Sequence, residues 1–210
     1  MKAIRNLNYI KRTLGNDVSI EVKRVLYIAL VRSVISYGSQ LWCPVIKKDY
    51  SRLESIQRQA TLYMVKNTDL TYIERLEKCN LLPLTFMREI YDLVLFYNMV
   101  HNRRSIDVEK YFNFDHNIRR GRQYDTSMGI VCIRYHTEHG RHYFTNRVVN
   151  IWKTLPLEIR STDPPVDKNK KPTIFINKLR LYYKNKMLHD MDIDDKCTWI
   201  SKCYCAICRQ

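Results

Sequence analysis

The sequence predicts a mainly α-helical fold, for three reasons. Only 5 glycines and 6 prolines occur in 210 residues, which argues against a many-turned β fold. Apolar residues recur at three- and four-residue steps along most of the chain, which is the spacing of one helix face. Residues that end helices follow several of these segments, as Gly38, Pro44 and Pro156 do.

We expect four regions along the chain. The first is an N-terminal helical bundle, and the second is an irregular basic connector with at most a short strand pair. Two further helices form the third region, and a cysteine-rich tail forms the fourth. In sequence order these regions cover residues 1–102, 103–140, 141–189 and 190–210. The chain is long enough to bury a core, and no internal repeat is evident.

The first two predicted helices are amphipathic. Residues 2–14 have helical spacing, with Ile4, Leu7, Ile10 and Leu14 inward. Residues 21–37 form the second helix, which we expect to be buried on more than one side because its apolar face is wide. The predicted inward face of this helix consists of Val22, Val25, Leu26, Ala29, Leu30, Ile35 and Tyr37.

A third helix is predicted to begin near Asp49 or Ser51 and to continue to Met64. Ser51 and Glu54 have the spacing of a capping box, in which each side chain bonds to the other residue's backbone N–H. Trp42 is expected to fill the junction that precedes this helix. The expected apolar face is Leu53, Ile56, Ala60, Tyr63 and Met64, and the expected solvent face is Arg52, Gln57, Arg58 and Gln59.

Two more helices complete the predicted bundle. Thr71 and Glu74 form a second capping-box pair, which opens a short helix that ends near Cys79. Thr85 opens a long helix that ends at Asn102. The predicted inward face of the long helix is Phe86, Ile90, Leu93, Val94, Tyr97 and Val100.

Periodicity weakens in the basic connector and then returns. One helical turn is expected within residues 108–114, and a short strand within residues 130–135. Residues 141–155 regain helical spacing and stop at Pro156. The last predicted helix covers residues 173–188.

The charge balance indicates the class of partner. Lys+Arg 36 against Asp+Glu 21 leaves a formal charge of +15, which favours a polyanion, and nucleic acid before an acidic membrane. The N-terminus lacks a signal-peptide pattern, and no apolar run reaches the roughly 20 residues of a membrane span. Because the chain has 7 cysteines but no secretory signal, we expect a reducing compartment, which is the nucleus or the cytoplasm. We expect no membrane partner.

Two segments of the chain carry a long ordered pattern. Its positions are Leu30, Val31, Arg32, Tyr37, Gly38, Trp42 and Pro44, then Leu53, Glu54, Gln57, Arg58 and Ala60, and finally Phe144, Arg147, Trp152, Leu155, Pro156, Ile159, Phe175 and Leu179. The pattern resembles non-LTR (LINE-type) retrotransposon reverse transcriptases, which show an L-V-R-x-x-(L/I)-x-Y-(G/A)-x-x-x-W-x-P run and then an L-E-x-(I/V)-Q-R-x-A run in the region after the polymerase palm. A later run in that family ends in W-N-x-L-P, and here Lys153 stands where asparagine is usual. The resemblance covers about residues 2–183.

The resemblance implies thumb-like and downstream helices without the catalytic module. A reverse transcriptase holds two metal ions with carboxylates, one pair of which is adjacent in a Y/F-x-D-D hairpin. The adjacent pair in this chain, Asp194 and Asp195, has neither the preceding aromatic residue nor flanking hydrophobic strands. We therefore expect no catalytic residues and no polymerase activity from this chain on its own, although the parent family is an RNA-directed DNA polymerase.

Candidate nucleic-acid contacts lie in the arginine-rich middle and in a later lysine stretch. Guanidinium groups bind phosphates, and exposed aromatic rings such as those of Tyr124, Tyr135 and Tyr143 stack on unpaired bases. The other reading, in which Tyr143 and Phe144 belong to the core and the arginines form a solvated face, stays open here. The candidate residues are Arg119, Arg120, Arg122, Arg134, Arg141, Arg147, Lys170 and Lys171.

The tail contains a possible zinc site. Cys197, Cys203, Cys205 and Cys208 have spacings at which thiolates can share a tetrahedral Zn²⁺. The CxC and CxxC pairs share one cysteine, however, so this is neither the two-pair ribbon pattern nor the usual zinc knuckle. The alternative is a tail with reactive thiols, and no other cofactor is expected.

The leading hypothesis is a palm-less fragment of a retrotransposon reverse transcriptase that keeps backbone binding of RNA or an RNA–DNA hybrid. A separate polymerase palm or a host protein is a further possible partner. The alternative is a non-enzymatic helical module for protein–protein interaction, derived from a domesticated or decayed element. A third possibility is that the reading frame is a fragment without an independent role.

Overall fold

The computed structural model describes residues 2–15, 17–44, 46–101, 106–114, 130–131, 137–167 and 170–189. The fold is mainly α-helical, as the sequence predicts. Its helices are α1 (Lys2–Thr13), α2 (Ile20–Leu26), a π-helical segment (Tyr27–Arg32), α3 (Ser33–Ser36), α4 (Lys47–Val65), α5 (Tyr72–Lys78), α6 (Leu84–Val100), a 3-10 turn (Val108–Lys110), α7 (Glu138–His142), α8 (Phe144–Thr154), α9 (Leu157–Arg160) and α10 (Thr173–His189).

The described residues form two compact units. The first unit comprises those within Met1–Ser39, Ile46–Arg88 and Tyr183–Lys202, and the second comprises those within Gln40–Val45 and Glu89–Tyr182. This division differs from the predicted boundary at residue 102, since α6 contributes to both units. A helix with buried residues on all sides, as α6 has, can supply more than one core. No helix of the described residues is long and apolar enough to cross a membrane.

In the first unit, α1 packs against the π-helical segment and α4. The predicted helix at residues 21–37 forms, but its inward face is rotated from the predicted one. Buried Tyr27, Val31 and Ile35 follow one another at exact four-residue steps, with Lys23 one step before them. Four-residue steps drift by about 40° per step around an α-helix. The wider π-helical turns oppose this drift. Three residues of the predicted inward face, Val22, Val25 and Leu30, are exposed.

The α4 helix begins earlier than predicted, at Lys47, and Ile46 caps it without a side-chain hydrogen bond. The predicted Ser51–Glu54 capping box is therefore wrong. The second capping box is confirmed, since the Thr71 side chain accepts from the Glu74 N–H while the Glu74 carboxylate accepts from the Thr71 N–H at 2.7 Å. The apolar face of α4 is also confirmed for Leu53, Ile56, Ala60 and Met64.

In the second unit, aromatic rings pack around Phe96 of α6. The ring centroids of Phe112 and Trp152 lie 5.0 and 5.1 Å from that of Phe96, both edge-on. The ring of Tyr97 stacks on Phe175 at 4.0 Å. Trp152 is buried and anchors the core of this unit through these contacts. Trp42, which is expected to fill the junction before α4, is 39% exposed.

The connector and the last helices agree with the predictions in outline. Strands β1 (Asn113–Phe114) and β2 (Ile130–Val131) form the short antiparallel pair. The predicted helix at residues 141–155 divides into α7 and α8 at Tyr143, whose backbone is extended. Leu155 is extended because it precedes Pro156, so α8 stops where the sequence predicts.

Candidate nucleic-acid interface

Half of the predicted nucleic-acid contacts lie outside the described residues. These are Arg119, Arg120, Arg122 and Arg134, and the predicted stacking residues Tyr124 and Tyr135 lie outside them as well. The same holds for the acidic pair of Asp194 and Asp195 and for the zinc candidates Cys197, Cys203, Cys205 and Cys208. Within the described residues, no group of three or more His, Cys, Asp or Glu side chains could hold a metal ion.

Arg147 is placed differently from the prediction. Its Nε and Nη2 donate to the two carboxylate oxygens of Asp92 at 2.7 and 3.1 Å. Its remaining donors bond to the backbone carbonyls of Gln40 at 2.8 Å and His142 at 2.6 Å. The Arg147 and Asp92 side chains are only 12% and 4% exposed. Because its donors are used inside the second unit, Arg147 is a structural residue, and we withdraw it from the candidate phosphate contacts.

The other described candidates fall into two groups. Arg141 is half-buried and takes part in interactions within the fold. Lys170 and Lys171 are exposed just before α10, and neither forms an ion pair within the described part of the chain. These two lysines therefore keep the solvent access that phosphate contact requires.

A basic surface that the sequence reasoning missed lies on α1. The buried side of this helix is Ala3, Leu7 and Ile10. The opposite side, which we call the α1 outward face, consists of the exposed residues Arg5, Asn8, Tyr9 and Arg12. Arg5 and Arg12 are each three or four positions from Asn8 and Tyr9, so the four side chains lie together on one helix surface. The signal was present in the sequence, since this spacing is the polar counterpart of the apolar pattern that predicted the helix.

The charged residues of α1 are all cationic. The helix contains Lys2, Arg5, Lys11 and Arg12 and no acidic residue. Among the described residues, Arg5 and Arg12 form no ion pair, so their guanidinium groups are available to an external anion. The sequence of α10 likewise contains only cationic charges, on Lys178, Arg180, Lys184 and Lys186.

The second run of the sequence pattern builds a polar cluster inside the first unit. This buried polar cluster consists of Tyr27, Glu54, Gln57 and Tyr72. Gln57 Oε1 accepts from the Tyr27 hydroxyl at 2.9 Å, and Gln57 Nε2 donates to the Tyr72 hydroxyl at 3.2 Å. The Tyr72 hydroxyl in turn donates to Glu54. Gln57 is fully buried, and its predicted place on the solvent face of α4 is therefore wrong.

Glu54 links this cluster to the start of α6. Its Oε2 accepts from the Leu84 N–H at 3.1 Å, at the positive end of the helix dipole. Burial raises the pKa of the Glu54 carboxyl, and the hydrogen bonds from Tyr72 and Leu84 oppose this rise only in part. The Arg58 guanidinium lies 4.3 Å from the centroid of the Tyr72 ring, on the side chain that bonds to Glu54.

The described motif residues thus have structural roles. Glu54 and Gln57 join α4 to the π-helical segment, α5 and the start of α6, and Arg147 joins α8 to α6. The candidate phosphate contacts are exposed cations outside the pattern, and each unit has its own: Arg5 and Arg12 on α1 in the first unit, and Lys170 and Lys171 before α10 in the second. Comparison of the chain with protein-family models, with curated proteins and with solved structures finds no match.

Proposed function

We propose that the chain is a palm-less part of a non-LTR retrotransposon reverse transcriptase, and that it binds RNA or an RNA–DNA hybrid through the sugar–phosphate backbone. The observation that carries the binding proposal is the α1 outward face, whose Arg5 and Arg12 are exposed and form no ion pair within the described residues. The formal charge of +15 supports the binding proposal, and so does α10, whose sequence contains lysine and arginine but no acidic residue.

We do not propose that this chain by itself has the RNA-directed DNA polymerase activity of the parent family. The resemblance supplies no counterpart to the palm carboxylates that hold two metal ions, so a separate polymerase palm is the natural partner. The expected compartment is the nucleus or the cytoplasm, where the thiols of Cys43 and Cys79, which form no disulfide among the described residues, stay reduced. A primer-extension assay with Mg²⁺ and nucleotides checks this point, and extension by the purified chain alone would contradict it.

The salt dependence of binding tests the proposed function directly. Fluorescence anisotropy with a labelled RNA–DNA duplex gives the affinity between about 50 and 200 mM salt. Each neutralised duplex phosphate contributes about −0.9 to the slope of log K against log salt concentration. We expect a slope of several units, and an affinity that does not change with salt would refute backbone binding.

Paired variants locate the contact. Arg5→Gln with Arg12→Gln should weaken binding and reduce the magnitude of the slope by about 1.8, the contribution of two duplex phosphates. The matched control is Arg52→Gln with Lys78→Gln, which removes two exposed cations that already lie near the carboxylates of Asp49 and Glu74. We expect the control to retain most of the affinity. Charge reversal at Arg119, Arg120 and Arg122 tests the sequence-predicted contacts in the same assay.

A second candidate function is a helical protein–protein interaction module. The observation that favours it is the exposure of Val22 and Val25, two apolar residues one turn apart on α2. Under this alternative, Val22→Asp with Val25→Asp abolishes capture of a purified polymerase palm, and the Arg5 and Arg12 variants do not. The first proposal is favoured if the Arg5 and Arg12 variants weaken nucleic-acid binding and the Val22 and Val25 variants do not.

A further inference from the structure

The α1 outward face contains an exposed aromatic ring between two arginines. The Tyr9 side chain is 65% exposed, and within the described residues neither its ring nor its hydroxyl has a partner. Arg5 lies one turn before Tyr9 and Arg12 lies one turn after it. Burial of an aromatic ring is strongly favourable, so a ring left open among cations is available for a ligand with both a flat apolar face and negative charge.

The spacing along α1 indicates what such a ligand would be. Arg5 and Arg12 are seven residues apart, or about 10 Å along the helix axis. This distance corresponds to about three steps of a stacked nucleic-acid strand. Two phosphates that flank a short run of nucleotides would therefore reach the two guanidinium groups, with a base between them over the ring.

The Tyr9 ring makes the α1 outward face able to discriminate between single strands and duplexes. Both strands of a duplex offer phosphates, but their bases are stacked and paired, so an external tyrosine reaches no internal base face. Unpaired bases stack on exposed aromatic side chains with little sequence preference. We infer that the α1 outward face binds a single-stranded segment of nucleic acid, with Tyr9 stacked on an unpaired base and Arg5 and Arg12 on the flanking phosphates. This inference rests on the proposed function and adds strand selectivity to it.

An anionic membrane surface is the other partner to consider for a basic amphipathic helix. Such a helix binds a membrane by inserting its apolar side among the lipids. The apolar side of α1, which comprises Ala3, Leu7 and Ile10, is already buried in the first unit. The face left open is cationic with one tyrosine, and this combination favours a nucleic-acid strand.

The test compares two probes of equal length, a single-stranded RNA of mixed sequence and an RNA–DNA duplex. Tyr9→Ala should weaken binding of the single strand by about 5- to 150-fold, the effect expected for one lost stacking contact, and change duplex binding less than twofold. Tyr9→Phe keeps the ring and should retain wild-type affinity, whereas a hydroxyl bond to phosphate would be lost in this variant. Tyr111→Ala is the matched control, since Tyr111 is 52% exposed in the second unit.

Cross-linking provides a readout that needs no variant. Single-stranded RNA containing 4-thiouridine, irradiated with the wild-type protein, should label the tryptic peptide of residues 6–11, which contains Tyr9. Labelling of that peptide with loss of affinity in Tyr9→Ala supports the inference. Equal effects of Tyr9→Ala on both probes, an unlabelled peptide, or binding to phosphatidylserine vesicles that Arg5→Gln with Arg12→Gln abolishes would overturn it.

The outcomes separate the two proposals. If the wild-type protein binds both probes with a salt-dependent affinity and Tyr9→Ala changes neither, strand selectivity at α1 is wrong and the proposed function stands. If the wild-type protein binds neither probe, the proposed function is wrong and the inference fails with it. Circular dichroism of each variant confirms that the helical content is unchanged before affinities are compared.

Discussion

Arg147 and Asp92 form a two-point ion pair inside the second unit, with N–O distances of 2.7 and 3.1 Å. The residues are 55 positions apart and join α8 to α6. A buried guanidinium needs hydrogen-bond acceptors, and two backbone carbonyls accept from further N–H groups of Arg147. Arg147 thus has a structural role, because it connects α8 to α6, although its residue type and its arginine-rich neighbourhood are typical of a phosphate ligand.

Removing one side of this pair should be costly. Arg147→Met leaves the Asp92 carboxylate buried without its partner, so we expect the free energy of unfolding to fall by about 3–5 kcal/mol. Urea denaturation followed by circular dichroism measures the change. The double variant Arg147→Met with Asp92→Leu should be less destabilised than the single variant, because no uncompensated charge remains. A single variant as stable as the wild type would show that the pair is not formed in solution.

The Glu54 carboxyl should make stability depend on pH. Burial raises its folded-state pKa above the ordinary value of 4.5, and the groups near the carboxyl are Tyr72, Arg58 and Arg88. The folded state therefore binds more protons than the unfolded state between these two pKa values. The contribution of Glu54 to the free energy of unfolding is fully present below pH 4.5, and it is lost as the pH rises through the raised pKa.

Glu54→Gln removes this titration while keeping an oxygen that accepts from Tyr72 and Leu84. We expect the stability of the variant relative to the wild type to increase as pH rises from 4.5 toward neutrality. Urea denaturation at several pH values gives the difference. Glu74→Gln is the control, because hydrogen bonds from the Thr71 side chain and backbone lower the pKa of Glu74 and give the opposite sign. If the stability of Glu54→Gln relative to the wild type falls as pH rises, the pKa of Glu54 is not raised in the folded protein.

The Thr71 cap should contribute measurably to the first unit. Thr71→Ala removes the side-chain acceptor at the start of α5, and we expect a loss of about 1 kcal/mol in the free energy of unfolding. Thr71→Ser keeps the hydroxyl and should restore most of the stability. Thermal or urea denaturation compares the three proteins. Equal stability of the alanine and serine variants would show that the capping bond contributes nothing.

Cys79 should resist alkylation in the folded protein. Its side chain is buried, and burial raises the pKa of the thiol to about 11, so little thiolate forms near neutral pH. We expect iodoacetamide at pH 8 to leave the peptide that begins at Cys79 unmodified until urea is added, while Cys43, which is half-buried, reacts first. Mass spectrometry after tryptic digestion gives the extent of modification. Rapid native-state labelling of Cys79 would show that this part of the first unit opens.

Local features of the fold could be read from the sequence. The α1 helix, the apolar face of α4, the capping box at Thr71 and Glu74, and the end of α8 before Pro156 all follow from interactions within a few residues. Gly38 also agrees, since it has a positive φ of 62° just after α3. The same spacing rule, applied to the polar residues of α1, would have revealed the α1 outward face.

The sequence by itself determined which segments are mainly helical, since periodicity and caps act between residues three or four positions apart, although the start of α4 and the break between α7 and α8 differ from the prediction. Only the tertiary structure decided which polar residues turn inward. Gln57 meets Tyr27 across 30 positions, and Arg147 meets Asp92 across 55. A buried polar group is stable only with its partner in place, and a partner so distant leaves no local periodic signal. The π-helical segment is decided in the same way, because packing of Tyr27, Val31 and Ile35 selects the phase of that helix.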